Sequence, residues 1–146
     1  MGSTIYLNEY IYAKEQGLPF DFMPDKVNVE HIMPASGHNI DTIRIDAGMT
    51  KEEFDDMVNL LGNKILLEED INKHIGMDWF KTKKGTLVQD KKGYVGSCFG
   101  IASALSSYPS DKWGKADIEK ANEKIALRIS RFIFNDLKET EGDDER

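Results

Sequence analysis

Glu30-His31-Ile32-Met33-Pro34, followed after a gap by Leu61-Gly62-Asn63-Lys64-Ile65-Leu66-Leu67 and then Asn72, decides how this chain is read. Extended backwards, the first stretch becomes Val27-Asn28-Val29-Glu30-His31-Ile32-Met33, whose alternating apolar positions predict a short strand that Pro34 ends. Asn63 to Leu67 is a second β-compatible run, and Glu68 to His74 opens a helix with Ile71 and Ile75 inward. The order strand, strand, helix puts an acid, a histidine and two asparagines on one small unit. Between the strands, Ala35 to Met49 reads as a loop with a brief extended piece around Thr42 to Ile45. Thr50 and Glu53 then form a capping box ahead of Phe54, Met57, Val58 and Leu61 on one helical face, with Gly62 as the stop.

Flanking elements follow by the same periodicities. Met1-Gly2-Ser3 reads as a cloning remnant, and Thr4 to Gln16 as a first helix with Thr4 as N-cap and Gly17 as stop. Leu18 to Lys26, with Pro19 and Pro24, is a connection. Thr86 to Gln89 and Tyr94 to Ser97 flank Asp90-Lys91-Lys92-Gly93 as a possible hairpin, while Tyr94 onward could equally start a helix through Leu105. Ile118, Ala121, Ile125, Ile129, Phe132, Ile133 and Leu137 recur at spacings of three and four, which predicts a long amphipathic C-terminal helix.

The His, Asn, Asn constellation with an acid directly before the histidine resembles the HNH, or ββα-metal, nuclease motif. The nine residues from Asn63 to Asn72 are similar to the spacing in HNH modules of RNA-guided DNA nucleases, which also read Asp-His-Ile-x-Pro and Asn-Lys-x-Leu. The likeness extends to the DUF1524 family, the C-terminal HNH domains of GmrSD-type modification-dependent restriction systems. That pattern runs roughly Glu-His-Ile-x-Pro, a variable helical insert, Leu-Gly-Asn-Leu-x-Leu-Leu, an Asn, then Phe-x-x-Lys. Here it is met by Glu30 to Pro34, Leu61 to Leu67, Asn72, and Phe80 with Lys83; Trp113 and Ile118 resemble the family's closing Trp and final helix. Lys64 departs from the pattern, which prefers Leu.

The resemblance implies an α+β fold, a ββα-metal core embedded among helices, spanning residues 4–138 and excised from the C-terminal end of a larger protein. It implies a metal-dependent DNA endonuclease or nickase in antiviral defence, with an N-terminal ParB-like nucleotide-hydrolase domain as partner and assembly through the full-length protein. Phosphodiester hydrolysis needs an activated water and charge stabilisation in the transition state. On this reading His31 is the general base, and Glu30 and Asn72 hold one Mg²⁺ or Mn²⁺ ion, a hard cation suited to oxygen donors. Neighbours on a regular strand point to opposite faces, so Glu30 and His31 sharing a site implies a bend or bulge. Asn63 is expected to hold the loop between the strands and to orient His31. Lys73, Lys83 and His74 are candidate phosphate contacts, Lys83 because it matches Phe-x-x-Lys. Lys81, Lys84, Lys91 and Lys92 are expected to be a solvated face, His38 a loop residue, and Cys98, the methionines, Trp79, Phe80 and Trp113 packing residues.

A net charge of −7 over 146 residues argues against a polyanionic partner only until it is located. Glu139 to Arg146 carries five acids and one base, a net −4 that reads as a disordered tail, and leaves −3 for the other 138 residues. Lys73 to Lys92 holds six lysines against Asp78 and Asp90, a local +4. No apolar run approaches the ~20 residues of a membrane-spanning helix and no signal peptide is evident, so a soluble intracellular protein is expected, and the resemblance implies a bacterial or archaeal cytoplasm. The lone Cys98 excludes an internal disulfide and a cysteine-based zinc site. Two competing readings are a non-catalytic DNA-binding or regulatory module that keeps the HNH fold, and an interaction domain with no nucleic acid.

Overall fold

The two β-compatible runs pair. In the computed structural model, which describes residues 2–20, 26–85 and 93–144, with the backbone alone for 2 and 136–144, β1 (Val27–His31) and β2 (Lys64–Glu68) form an antiparallel two-stranded sheet. The register runs unbroken from Val27 opposite Glu68 to His31 opposite Lys64. A two-stranded ribbon is marginal alone. Its stability comes from cover: α1 (Gly2–Gln16) and α6 (Gly100–Leu105) pack on β2, and α4 (Glu69–Ile75) packs against both strands. Lys64 to Leu67 are all buried in consequence.

The insert carries α2 (Ile40–Asp46) and α3 (Lys51–Met57). The extended piece expected at Thr42 to Ile45 is helix instead. Alternation over four residues does not separate the two states; Ile43 alone is buried, while Ile45 is exposed to solvent. α3 starts as its sequence predicts, with the Thr50 hydroxyl accepting from Glu53 N–H and the Glu53 carboxylate accepting from Thr50 N–H. It stops earlier than Gly62, for a traceable reason. Gly62 N–H, which would continue the helix by bonding the Val58 carbonyl, donates to Asn122 Oδ1 (3.0 Å), and that carbonyl accepts from Asn63 Nδ2 (2.9 Å). The chain turns as a 3-10 segment, Leu61–Asn63, and enters β2.

α5 (Phe80–Lys83), a 3-10 turn at Tyr94–Gly96 and α6 follow. Of the hairpin alternative, residues 86–92 lie outside the described residues; Tyr94 begins the turn, and the helix starts only at Gly100. α7 (Lys115–Asp144) closes the fold against α1, α3 and the Leu61–Asn63 turn. Its Ile118 and Ile125 are buried and Ile129 and Phe132 half-buried, Phe132 packing edge-on against Tyr10, whereas Leu127, Ile133 and Phe134 are exposed. The backbone stays helical through Asp144, where the charge bias predicted a tail from Glu139. At the other end α1 begins at Gly2, two residues ahead of the expected Thr4 cap. The core joins Ile32, Met33, Leu66, Leu67, Ile118 and an aromatic cluster in which Phe80 lies 5.5 Å from Trp113 and 6.4 Å from Tyr94 between ring centres.

Candidate active site

His31 ends β1 with its ring half-buried, and its Nε2 lies 3.2 Å from Asn59 Oδ1. With Nε2 protonated, that proton goes to Asn59 and Nδ1 is left as the basic nitrogen. The Asn59 side chain, at the exposed exit of α3, thereby sets the ring's orientation. Nothing in the sequence pattern singled it out, because it stands 28 residues from His31 and outside the matched motif.

Glu30 points the other way. Its carboxylate is 5% exposed, accepts from Tyr94 OH at 2.8 Å and faces Lys83 Nζ at 3.0 Å. The unbroken register shows why: without a bulge, strand alternation sends Glu30 and His31 to opposite faces. The expected bend is absent, and with it the expectation that Glu30 joins His31 around a metal ion. Burial pushes the Glu30 carboxyl above its ordinary range against the pull of Lys83 and Tyr94, and burial pushes the Lys83 ammonium down. Tyr94, fully enclosed, is raised well above the usual phenol value.

Lys83 is therefore not a phosphate contact. It is 1% exposed, and besides Glu30 it donates to the carbonyls of His31 (2.9 Å) and Ile32 (3.3 Å). Lys84, expected in solvent, is buried too, bonding the Tyr108 carbonyl at 2.8 Å and lying 5.0 Å from the Phe80 ring centre. Lys81 is exposed as expected, and Lys91 and Lys92 lie outside the described residues.

Asn63 is closed in the core at 0% exposure. Its Oδ1 accepts from Met33 N–H (2.8 Å), its Nδ2 donates to the Met33 carbonyl (3.0 Å), and its own carbonyl accepts from Ile32 N–H (3.0 Å). The amide thus fastens the chain directly after His31 and touches no solvent-borne group. Asn72 sits half-buried on α4. Lys73 is exposed and paired with Glu69 at 2.7 Å, and His74 is exposed on the same helix. His38 is exposed before α2, and Cys98 is an exposed free thiol rather than core filling. Among the methionines, Met33, Met49 and Met57 are buried while Met77 is exposed.

Among the described residues no group of three or more His, Cys, Asp or Glu side chains could hold a metal ion. Of the two ligands expected for a divalent cation, Glu30 is committed to Lys83 and Tyr94, and only Asn72 remains placed outside the core. The donor set present does not fit a metal held by that pair. What the arrangement offers is an imidazole at a strand end, fixed from below by Asn63 and Lys83 and from the side by Asn59.

No helix among the described residues is long and apolar enough to cross a membrane. No curated protein and no solved structure matches the chain. A family model does, over residues 3–127: the C-terminal domain of GmrSD restriction endonucleases. The match runs from the start of α1 into the first half of α7 and so takes in the whole β1–β2–α4 unit. With its antiparallel ribbon, its following helix and His31 at the ribbon's end, this α+β chain belongs to the family of GmrSD restriction endonuclease C-terminal domains, a nuclease family that acts on DNA.

Proposed function

We propose that the chain is a DNA endonuclease of the HNH type that nicks one strand, with His31 as general base and the β1–β2–α4 unit as its ββα-metal core. The observation that carries this reading is the position of His31: half-open, at the end of a strand, oriented by Asn59, with the backbone on both sides fixed by buried Lys83 and Asn63. A general base must be held within a fraction of an ångström of its working geometry, and buried donors beneath the strand end supply that. Dependence on Mg²⁺ or Mn²⁺ belongs to the same proposal, the ion being one that Asn72 would hold only together with the scissile phosphate and water, as do cytoplasmic action in restriction of foreign DNA and an N-terminal ParB-like partner domain that licenses cutting. Glu30 is left out of the ligand set, since freeing it would strand Lys83 in the core.

The test is incubation of supercoiled plasmid with the chain, with Mg²⁺ or Mn²⁺ and with chelator, beside His31→Ala and Asn72→Ala. Open circles should accumulate before linear DNA, chelator should stop the reaction, and His31→Ala should lose nearly all activity with its melting temperature unchanged. Equal activity in His31→Ala would remove the assigned base. A competing reading, a binding module without catalysis, predicts plasmid binding and no nicking by the parent chain.

A further inference from the structure

The geometry points to the cleft between α1, β2, α6 and α7 as the seat of a DNA strand, with one unstacked base in its cavity. The cavity measures about 250 Å³. Four cations line it, Lys64, Lys120, Lys124 and Arg128, against the single acid Asp117. That acid is already occupied, accepting from the Tyr108 hydroxyl and from Gly114 N–H. With Asp117, and with Glu15 paired to Arg128 at 3.8 Å, set against the four cations, the local balance is still positive in a chain whose total is −7.

Lys120, Lys124 and Arg128 recur every fourth residue along α7, which spaces them about 6 Å apart in one row. A small anion needs one such cation. A row suits a chain of phosphates. Arg128 is held in place, donating to Asn8 Oδ1 at 2.6 Å with its guanidinium 5.2 Å from the Tyr12 ring centre; Lys120 and Lys124 are exposed. The cavity walls add Tyr12, Tyr108 and Trp113, and the buried indole N–H of Trp113 has no hydrogen-bond partner among the described residues. Aromatic side chains beside a basic row are how proteins hold unpaired strands, each base stacking for about 1–3 kcal/mol.

Position ties the cleft to the candidate active site. Lys64 stands directly opposite His31 in the β1–β2 pairing, so the two side chains leave the same face, and both Lys64 and Ile32 line the cavity. A strand laid along α7 would thus run toward the imidazole. The lysines that the sequence offered for phosphate contact lie elsewhere: Lys83 is buried, and Lys73 stands on α4 outside the cavity lining.

This inference rests on the nuclease reading of His31, and its test is separable from it. Binding of a fluorescein-labelled 12-nucleotide single strand, and of the same sequence as duplex, is followed by anisotropy in EDTA over a series of salt concentrations. Lys120→Ala/Lys124→Ala should weaken single-strand binding about tenfold at low salt, and should reduce the slope of log affinity against log salt by about 1.4, two phosphate contacts' worth. Ala104→Trp, at an exposed position on the cavity wall, should weaken the single strand and spare the duplex. Lys51→Ala, an exposed lysine on α3, should change neither. Unchanged affinity and slope in the double variant overturns the inference, and an Ala104→Trp variant that melts like the parent and binds both DNAs normally overturns the seating of a base. Plasmid nicking without these binding effects removes this inference alone; the binding effects without nicking remove the nuclease reading alone.

Discussion

Lys83 uses all three ammonium donors inside the protein, on Glu30 Oε2 and on the carbonyls of His31 and Ile32. Removing it leaves an uncompensated carboxylate in the core, a loss on the order of 3–5 kcal/mol at a buried pair. Lys83→Met should therefore be strongly destabilised in urea at pH 8. The sign of its pH dependence follows from Glu30. Burial already raises that carboxyl, and Lys83 is the strongest influence opposing the rise. In the variant the folded-state value climbs further above the unfolded one, so Glu30 contributes stability below its ordinary range that is lost as pH rises through the folded value. The gap between Lys83→Met and the parent should thus narrow toward pH 4.5 and widen above it. Adding Glu30→Gln should recover most of the loss at pH 8. A deficit equal at both pH values would mean that packing, and not the stranded charge, is what Lys83 supplies.

Among elements, the tightest joint is α7 against the Leu61–Asn63 turn. A Cβ on Gly62 would lie 2.3 Å from the Ile118 carbonyl oxygen and 2.7 Å from Asn122 N, both backbone atoms of α7 that cannot swing aside. Gly62→Ala should force the helix outward and cost about 1–3 kcal/mol or more by overpacking, read as a fall in melting temperature with α-helical content retained. An unchanged melting temperature would show that α7 is not docked there. Which parts of this arrangement the sequence announces depends on range. The Thr50–Glu53 capping box is a local bond pair and was legible, as were the two strands, whose alternation and Pro34 stop are local too. Asn63 was legible only through the resemblance, since Gly-Asn is also an ordinary helix stop; its three core bonds reach back to Met33 and Val58. Glu30 and Lys83 were misassigned because nothing local tells a charged residue that it has a partner 53 positions away, or that Tyr94 closes over both. Asn59 and the cationic row on α7 escaped for the same reason: their meaning lies in what packs beside them.

At the scale of the molecule, charge is segregated along one helix. Lys120 and Lys124 lie near the start of α7, and Glu139, Glu141, Asp143 and Asp144, four acids with no base among them, lie on its last turns. From Lys124 to Glu139 is fifteen helical residues, about 22 Å. The screening length is about 30 Å at 0.01 M salt and about 8 Å at 0.15 M. The acidic end therefore lies within reach of a DNA strand in the cleft at low salt and outside it at physiological salt. Truncation after Lys138 should raise the affinity for the 12-nucleotide strand a few-fold at 0.01 M salt and leave it unchanged at 0.15 M. The melting temperature should hold in both, because the buried residues of α7 end at Ile125 among those whose side chains are described. If affinity rose equally at both salts, the acidic end would be touching the DNA site directly rather than acting through the field, as a segment folded back over the cleft would. If it rose at neither, the strand would lie elsewhere than along α7, and the row formed by Lys120, Lys124 and Arg128 would have no part in holding it.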